Sequence, residues 1–216
     1  MPTIYLRPCL FAIGLIGLAC ASAAWSQSED CEGPGPVKSE IQIEYGESVG
    51  NFHLFAYAEN RKIHVFGFEY DRHCFGRLFK ADFNYIGEVL PLVLIDEPAK
   101  YGADGRALTF ARQEQYGAGF TPFGLRLLWR RPGRFQPCFN AKGGFLFFQN
   151  RVLSSEGTRM NFSAEFSLGI ERAITHRVGF RAGYSDFHVS NGNIGRHNPG
   201  IDFMDFNSAL TLRFDR

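Results

Sequence analysis

Residues 160–171 read MNFSAEFSLGIE. Met160, Phe162, Ala164, Phe166, Leu168 and Ile170 fall on one side of an extended chain. Asn161, Ser163, Glu165, Ser167, Gly169 and Glu171 fall on the other. Such alternation predicts a β-strand, because successive side chains point to opposite faces of a sheet. A run of about a dozen residues is longer than the ~5–6 typical of strands in soluble domains. It suits a tilted membrane-crossing strand, which needs about 9–11.

The pattern recurs along the chain. Phe79, Ala81, Phe83, Tyr85, Gly87 and Val89 alternate with Lys80, Asp82, Asn84 and Glu88. Phe135, Phe139, Ala141, Phe145 and Phe147 alternate with Arg134, Gln136, Asn140, Lys142 and Gly144. Val178, Phe180, Ala182 and Tyr184 oppose Gly179, Arg181, Gly183 and Ser185, and Met204, Phe206, Leu210, Leu212 and Phe214 oppose Asp205, Asn207, Thr211 and Arg213. Less regular segments at about 39–49, 53–70 and 115–129 bring the count to eight strands.

One face of these strands is almost wholly Phe, Leu, Ile and Val, while the other carries Asp82, Lys142, Glu165 and Glu171. An open soluble sheet hides its apolar face under a second layer, and no helical segment or second domain stands ready as a cover. The expectation is an all-β chain: an eight-stranded antiparallel transmembrane β-barrel with lipid outside and polar side chains inside. A soluble ligand-binding barrel would reverse that assignment. Eight strands leave width only for packed side chains, which argues against a diffusion channel. Short connections near 71–76, 131–133 and 173–177 contrast with longer ones near 94–114 and 191–201, the asymmetry of periplasmic turns and outer loops.

Composition agrees. The 216-residue chain has 23 Phe and 24 Gly, is 45% hydrophobic, and carries a formal charge of only +1. That balance offers no basic field for a nucleic-acid partner. Arg7, an apolar run from about Cys9 to Ala19 and the small residues Ala21-Ser22-Ala23 read as a secretory signal peptide over 1–23. Residues 24–38 read as a short periplasmic leader and 39–214 as the barrel. Cys31, Cys74 and Cys138 remain after the signal. An odd number cannot pair completely within one chain, so at most one bridge is open and its partners are undetermined. His53, His64 and His73 do not make a zinc spacing.

The polar end of the seventh strand carries the chemistry. Residues 187–202 read FHVSNGNIGRHNPGID. Parity continued from Tyr184 puts Asp186, His188 and Ser190 on the outward face, and Asp202 shares the outward parity of Met204 and Phe206 on the next strand. Ser190 would be a nucleophile, His188 its base, Asp202 the group that orients His188, and Asn191 or nearby backbone N–H groups an oxyanion site. Arg196 and His197, in the loop beyond, are candidates for headgroup contacts; ordinary solvation is the plainer reading. Polar residues simply leaving the hydrocarbon layer are the plain alternative for the whole cluster.

His188-Val189-Ser190-Asn191, with the following Gly195-Arg196-His197-Asn198-Pro199-Gly200 loop, resembles the lipid A 3-O-deacylases, filed also as acyloxyacyl hydrolase-related proteins. The resemblance is sharp over 184–202. It is softer at Arg61-Lys62, Gly67-Phe68-Glu69-Tyr70 and Lys142-Gly143-Gly144-Phe145. It implies an outer-membrane serine esterase that removes an ester-linked acyl chain, the 3-O-linked one, from lipid A or lipopolysaccharide in the outer leaflet. It implies no metal and no organic cofactor, and it leaves a homodimer open. Glu is the family's third catalytic residue, and the same offset here lands on Asp202. The competing class is a non-enzymatic outer-membrane barrel with an anchoring, adhesion or envelope-integrity role.

Overall fold

The computed structural model describes residues 37–52, 54–56, 58–73, 75–131 and 135–215. The expected signal peptide, most of the leader, and Cys31 and Cys74 lie outside them. Nine strands form among the described residues: β1 (Val37–Phe52), β2 (Lys62–Arg72), β3 (Arg77–Leu78), β4 (Ala81–Pro98), β5 (Arg112–Leu128), β6 (Gln136–Phe148), β7 (Met160–Ala173), β8 (Val178–Ser190) and β9 (Ile201–Asp215). The two-residue β3 only tightens a turn against β4. The other eight pair antiparallel with their neighbours, β1 also pairs β9, and β2 pairs β4, so the sheet closes on itself. Closure leaves no unpaired edge, which is what allows a sheet to stand in hydrocarbon.

The alternation read from sequence is the pleat of the barrel. In β7 Asn161, Ser163, Glu165, Ser167 and Glu171 are buried inside, while Leu168 and Ile170 are exposed outside. Outward Ile41, Ile43, Phe68, Tyr70, Phe120, Phe147, Phe180, Phe206 and Leu210 continue that belt on other strands. Such a wall is stable only against lipid tails.

Connections alternate between a turn end (residues 73–80, 129–135 and 174–177) and a loop end: L1 (53–61), L2 (99–111), L3 (149–159) and L4 (191–200). Three boundaries differ from expectation. The stretch 53–61, expected inside a strand, is L1. Its Ala56 and Ala58 are buried, and Asn60 takes a left-handed turn at φ 58°. Strands β4 and β5 run further than expected, to Pro98 and from Arg112, so the second loop is shorter than 94–114. Phe79 and Lys80 form the β3–β4 turn, both at positive φ, so the fourth strand starts at Ala81, which is fully buried.

The uniformly polar interior expected from the sequence holds only for the turn-end half. There Lys142 Nζ lies 2.9–3.6 Å from carboxylate oxygens of Glu44, Glu69, Glu88 and Glu165. Arg126 reaches Asp71 at 2.5 Å and also pairs with Glu69, while Arg181 donates to Glu44 at 2.7 Å. Arg213 spans Glu40 and Glu171 at 2.9 and 2.6 Å. The loop-end half is instead a hydrophobic plug that includes Ile63, Val65, Leu90, Ile95, Leu146, Phe148, Val152, Phe187, Val189, Ile201 and Phe203. Packed apolar side chains across the lumen close it to water. Cys138 is a free thiol buried on the inner face.

Candidate active site

Strands β8 and β9 pair with His188 directly opposite Asp202. Their inward neighbours Phe187, Val189, Ile201 and Phe203 are locked in the plug at 0–2% exposure. The pleat therefore turns His188, Ser190 and Asp202 to the outer side of the wall. Directly opposed residues of antiparallel strands bring their Cβ atoms to about 4.5–5.5 Å, and that proximity lets the imidazole and the carboxylate meet. His188 Nδ1 and Asp202 Oδ1 are 2.5 Å apart.

The second oxygen of Asp202 is held by a different part of the chain. Oδ2 accepts from the backbone N–H groups of Leu54, Phe55 and Ala56, in L1, at 2.8, 2.6 and 3.1 Å. A carboxylate held by several N–H donors is strongly oriented. The loop also covers the side chain, so Asp202 is fully buried although its parity points outward. Phe55 places its ring edge-on to His188 with centroids 5.9 Å apart. Ala58 N–H donates to the Gly200 carbonyl at 3.3 Å and ties L1 to L4. Gly200 adopts φ 59°, and a Cβ there would stand 3.2 Å from Ala56 Cβ and 3.3 Å from His188 Cε1. Glycine is needed both for the backbone turn and for this close approach.

Ser190 closes β8 one same-face step beyond His188, opposite Phe162 of β7. The two side chains share a face but form no hydrogen bond to each other among the described residues. Catalytic contacts commonly tighten only when substrate enters. Asn191 turns inward at 3% exposure. Its Nδ2 donates to the His197 carbonyl, its Oδ1 accepts from Asn193 N–H, and its own N–H donates to Asn198 Oδ1. Asn191 thus fixes the start of L4. Gly192, at φ 60°, sits against Phe162, where a Cβ would come within 2.7 Å of the ring.

The two candidate headgroup residues lie further out. His197 is half-exposed with Nε2 3.7 Å from Glu156, and Arg196 is exposed in L4. His197, Asn198 and Pro199 line one side of a cleft of about 780 Å³, faced by Glu59, Asn60, Asp104 and Arg106. Asp186, one same-face step toward the turn end from His188, has both carboxylate oxygens buried without a hydrogen-bond partner among the described residues. Arg61, singled out in the sequence beside Lys62, is not a surface cation. Its buried guanidinium donates to the carbonyls of Glu59, Gly105 and Leu153 at 2.8–3.0 Å and pairs with Glu97 at 3.4 Å. One side chain thereby clamps L1, L2 and L3 over the plug.

Ligand atoms of Glu40, Asp71 and His73 lie within 4.8 Å of one another at the turn end of the lumen. Arg213 and Arg126 already pair with the two carboxylates. Guanidinium groups thus supply the positive charge that a metal would bring.

Hence the molecule is a closed β-barrel with a lipid-facing wall, and at its loop end that wall carries a carboxylate-oriented histidine beside a serine. It is an outer-membrane barrel protein. The family model described as lipid A 3-O-deacylase (PagL) matches residues 98–211, more than half of the chain, and the chain belongs to that family. Membership supports an outer-membrane deacylase, an ester hydrolase. No curated protein matches the sequence. Among solved structures, the crystal structure of the outer membrane enzyme PagL aligns with a TM-score of 0.58 at 13% identity, covering 81% of this chain and 99% of that one. Neisserial surface protein A aligns at 0.46 with 11% identity over 82% and 97% of the two chains. OprG from Pseudomonas aeruginosa aligns at 0.41 with 11% identity over 84% and 98%. The likeness to the PagL structure is one of fold.

The sequence named His188, Ser190 and Asp202 but missed the three L1 backbone donors. N–H groups leave no mark on residue identity, so only the alignment of L1 with Asp202 in space could reveal them.

Proposed function

We propose that the protein is a serine esterase of the outer membrane that removes an ester-linked acyl chain from lipid A, the chain attached at the 3-O position. The supporting observation is the 2.5 Å contact between His188 Nδ1 and Asp202 Oδ1, with Ser190 on the same lipid-facing side of β8. A carboxylate at Nδ1 favours the proton on that nitrogen and leaves Nε2 as the acceptor. Nε2 is then the atom to take the Ser190 hydroxyl proton.

The steps follow from those roles. Ser190 Oγ attacks the acyl carbonyl carbon as its proton passes to His188 Nε2, and Asp202 stabilises the imidazolium. The tetrahedral intermediate collapses by breaking the bond to the sugar oxygen, which leaves as an alcohol with the proton from His188. Water, deprotonated by His188, then attacks the acyl-serine; the acyl–Oγ bond breaks, Ser190 Oγ regains its proton from His188, and the fatty acid departs. Donors for the intermediate's oxyanion would come from the β8–L4 junction that Asn191 holds in shape. Arg196 and His197 would meet phosphate or sugar groups of the same lipid above the scissile ester. This arrangement suits a substrate that arrives sideways through the membrane, with its acyl chains along the apolar wall and its headgroup at the loops.

The test compares wild type with Ser190→Ala on lipid A in mixed micelles, with mass spectrometry reading loss of one hydroxyacyl chain and its position. The expected result is a fall of about 10³-fold or more in the variant. Equal product from both proteins would remove the serine mechanism, and release from another position would change the regiochemistry.

A further inference from the structure

L1 joins two properties. Its backbone holds the far oxygen of Asp202 through Leu54, Phe55 and Ala56, while the side chains of Leu54 and Phe55 are 55% and 46% exposed. Large apolar groups in water are costly. These two stand beside a wall whose neighbouring members, Tyr184, Met204 and Phe206, are likewise exposed and apolar. Phe55 in addition lies edge-on to the catalytic imidazole. The loop tip thus continues the lipid-facing surface up to the reacting atoms.

We propose that the Leu54–Ala56 segment is a positioning element of the esterase site: its apolar side chains rest on acyl chains, and that contact holds the N–H groups in register with Asp202. The occupant is hydrocarbon, from the substrate lipid or its neighbours. The inference rests on the serine-esterase reading and deepens it, because it makes the orientation of His188 depend on lipid.

Three observations support the coupling. Asp202 is fully buried because L1 lies over it, so withdrawal of the loop would admit water to the carboxylate. No other described donor binds Oδ2, so its orientation follows the loop. The Ala58–Gly200 hydrogen bond ties L1 to the strand-entry residue just before Ile201 and Asp202, so the two segments move together.

A double-mutant cycle on the full protein in mixed micelles of lipid A tests the coupling. The four proteins are wild type, Leu54→Ser/Phe55→Ser, Asp202→Asn, and the triple variant, with heat-modifiable migration confirming that each barrel is folded. The loop variant should lower kcat about tenfold with KM within about threefold, and Phe55→Leu with Leu54 intact should recover most of kcat. Because loop and aspartate act through one another, the triple variant should match Asp202→Asn within about twofold rather than show the product of the two losses. Multiplied losses, or a rise in KM alone, would overturn the proposal, since the loop would then act apart from Asp202 or merely bind lipid. Should the double variant fail to fold, Phe55→Ser alone carries the same cycle. Equal rates for wild type and Ser190→Ala, measured alongside, would instead sink the esterase reading itself.

Discussion

The two halves of the lumen follow opposite rules. Near the turn end the inside is charged and the outside greasy: Lys142 sits among four glutamates while Leu168, Phe180 and Leu210 face outward. Near the loop end the inside is greasy and, on β8 and β9, the outward positions are polar: Phe187, Val189, Ile201 and Phe203 are packed in while His188, Ser190 and Asp202 sit on the outer side. Strands β8 and β9 keep one pleat throughout, so the reversal lies in residue choice alone. The seam between the two regimes is where an ester in a lipid can meet both a hydrocarbon wall and hydrogen-bonding side chains. The plug has a second consequence, because close packing behind His188 and Asp202 limits how far their backbones can shift.

The largest expected difference between the halves comes from removing a charge. Lys142→Met should destabilise the barrel by about 3–5 kcal/mol, because four carboxylates would lose a shared counter-charge in a buried site. The unfolding midpoint in denaturant, followed by heat-modifiable migration, measures it. A change below about 1 kcal/mol would mean that the network is not the support of the turn-end half. Leu146→Ala, in the plug, opens a cavity without stranding a charge. We expect about 2–3 kcal/mol, the lower part of the range for such truncations, because the loops above can relax into the space.

Ile201→Val sharpens the link between plug and site. Loss of one methylene should cost only about 0.5–1.5 kcal/mol in stability, yet kcat should fall several-fold because Ile201 adjoins Asp202 in the chain. A kcat equal to wild type would separate packing from catalysis. The smallest effect belongs to the outer belt. Phe180→Leu exchanges one lipid-facing apolar group for another, and its midpoint should shift by less than about 0.5 kcal/mol. A large shift there would argue that this face is buried against protein.

Much of this was legible in the sequence, and the residues explain why. In β7 every inward position from Asn161 to Ser167 is polar and every outward one is apolar, so period and polarity agree and the strand declares itself. The same parity carried from Tyr184 reaches His188 and Ser190 without error, because β8 has no bulge. The apolar plug was harder to foresee, since Ile63, Val65, Leu90, Leu146 and Phe148 look like lipid-facing residues until their register is followed through each strand. In β4 that register slips at a bulge between Leu90 and Val93, which defeats simple alternation. L1 was hidden for another reason. His53 to Arg61 has enough aromatic and aliphatic residues to pass for strand, and its role rests on backbone N–H groups. The Arg61 clamp depends on carbonyls from three loops, which no local pattern encodes.

The serine mechanism proposed above places a reactive Ser190, activated by His188, on the lipid side of the reversal. The direct measurement treats the protein in lipid vesicles with a long-chain alkyl fluorophosphonate and maps the adduct by peptide mass spectrometry. Covalent phosphonylation of Ser190 is expected in wild type, with a loss of about a hundredfold or more in labelling rate in His188→Ala. Absence of label on Ser190, or equal labelling with and without the imidazole, would contradict it.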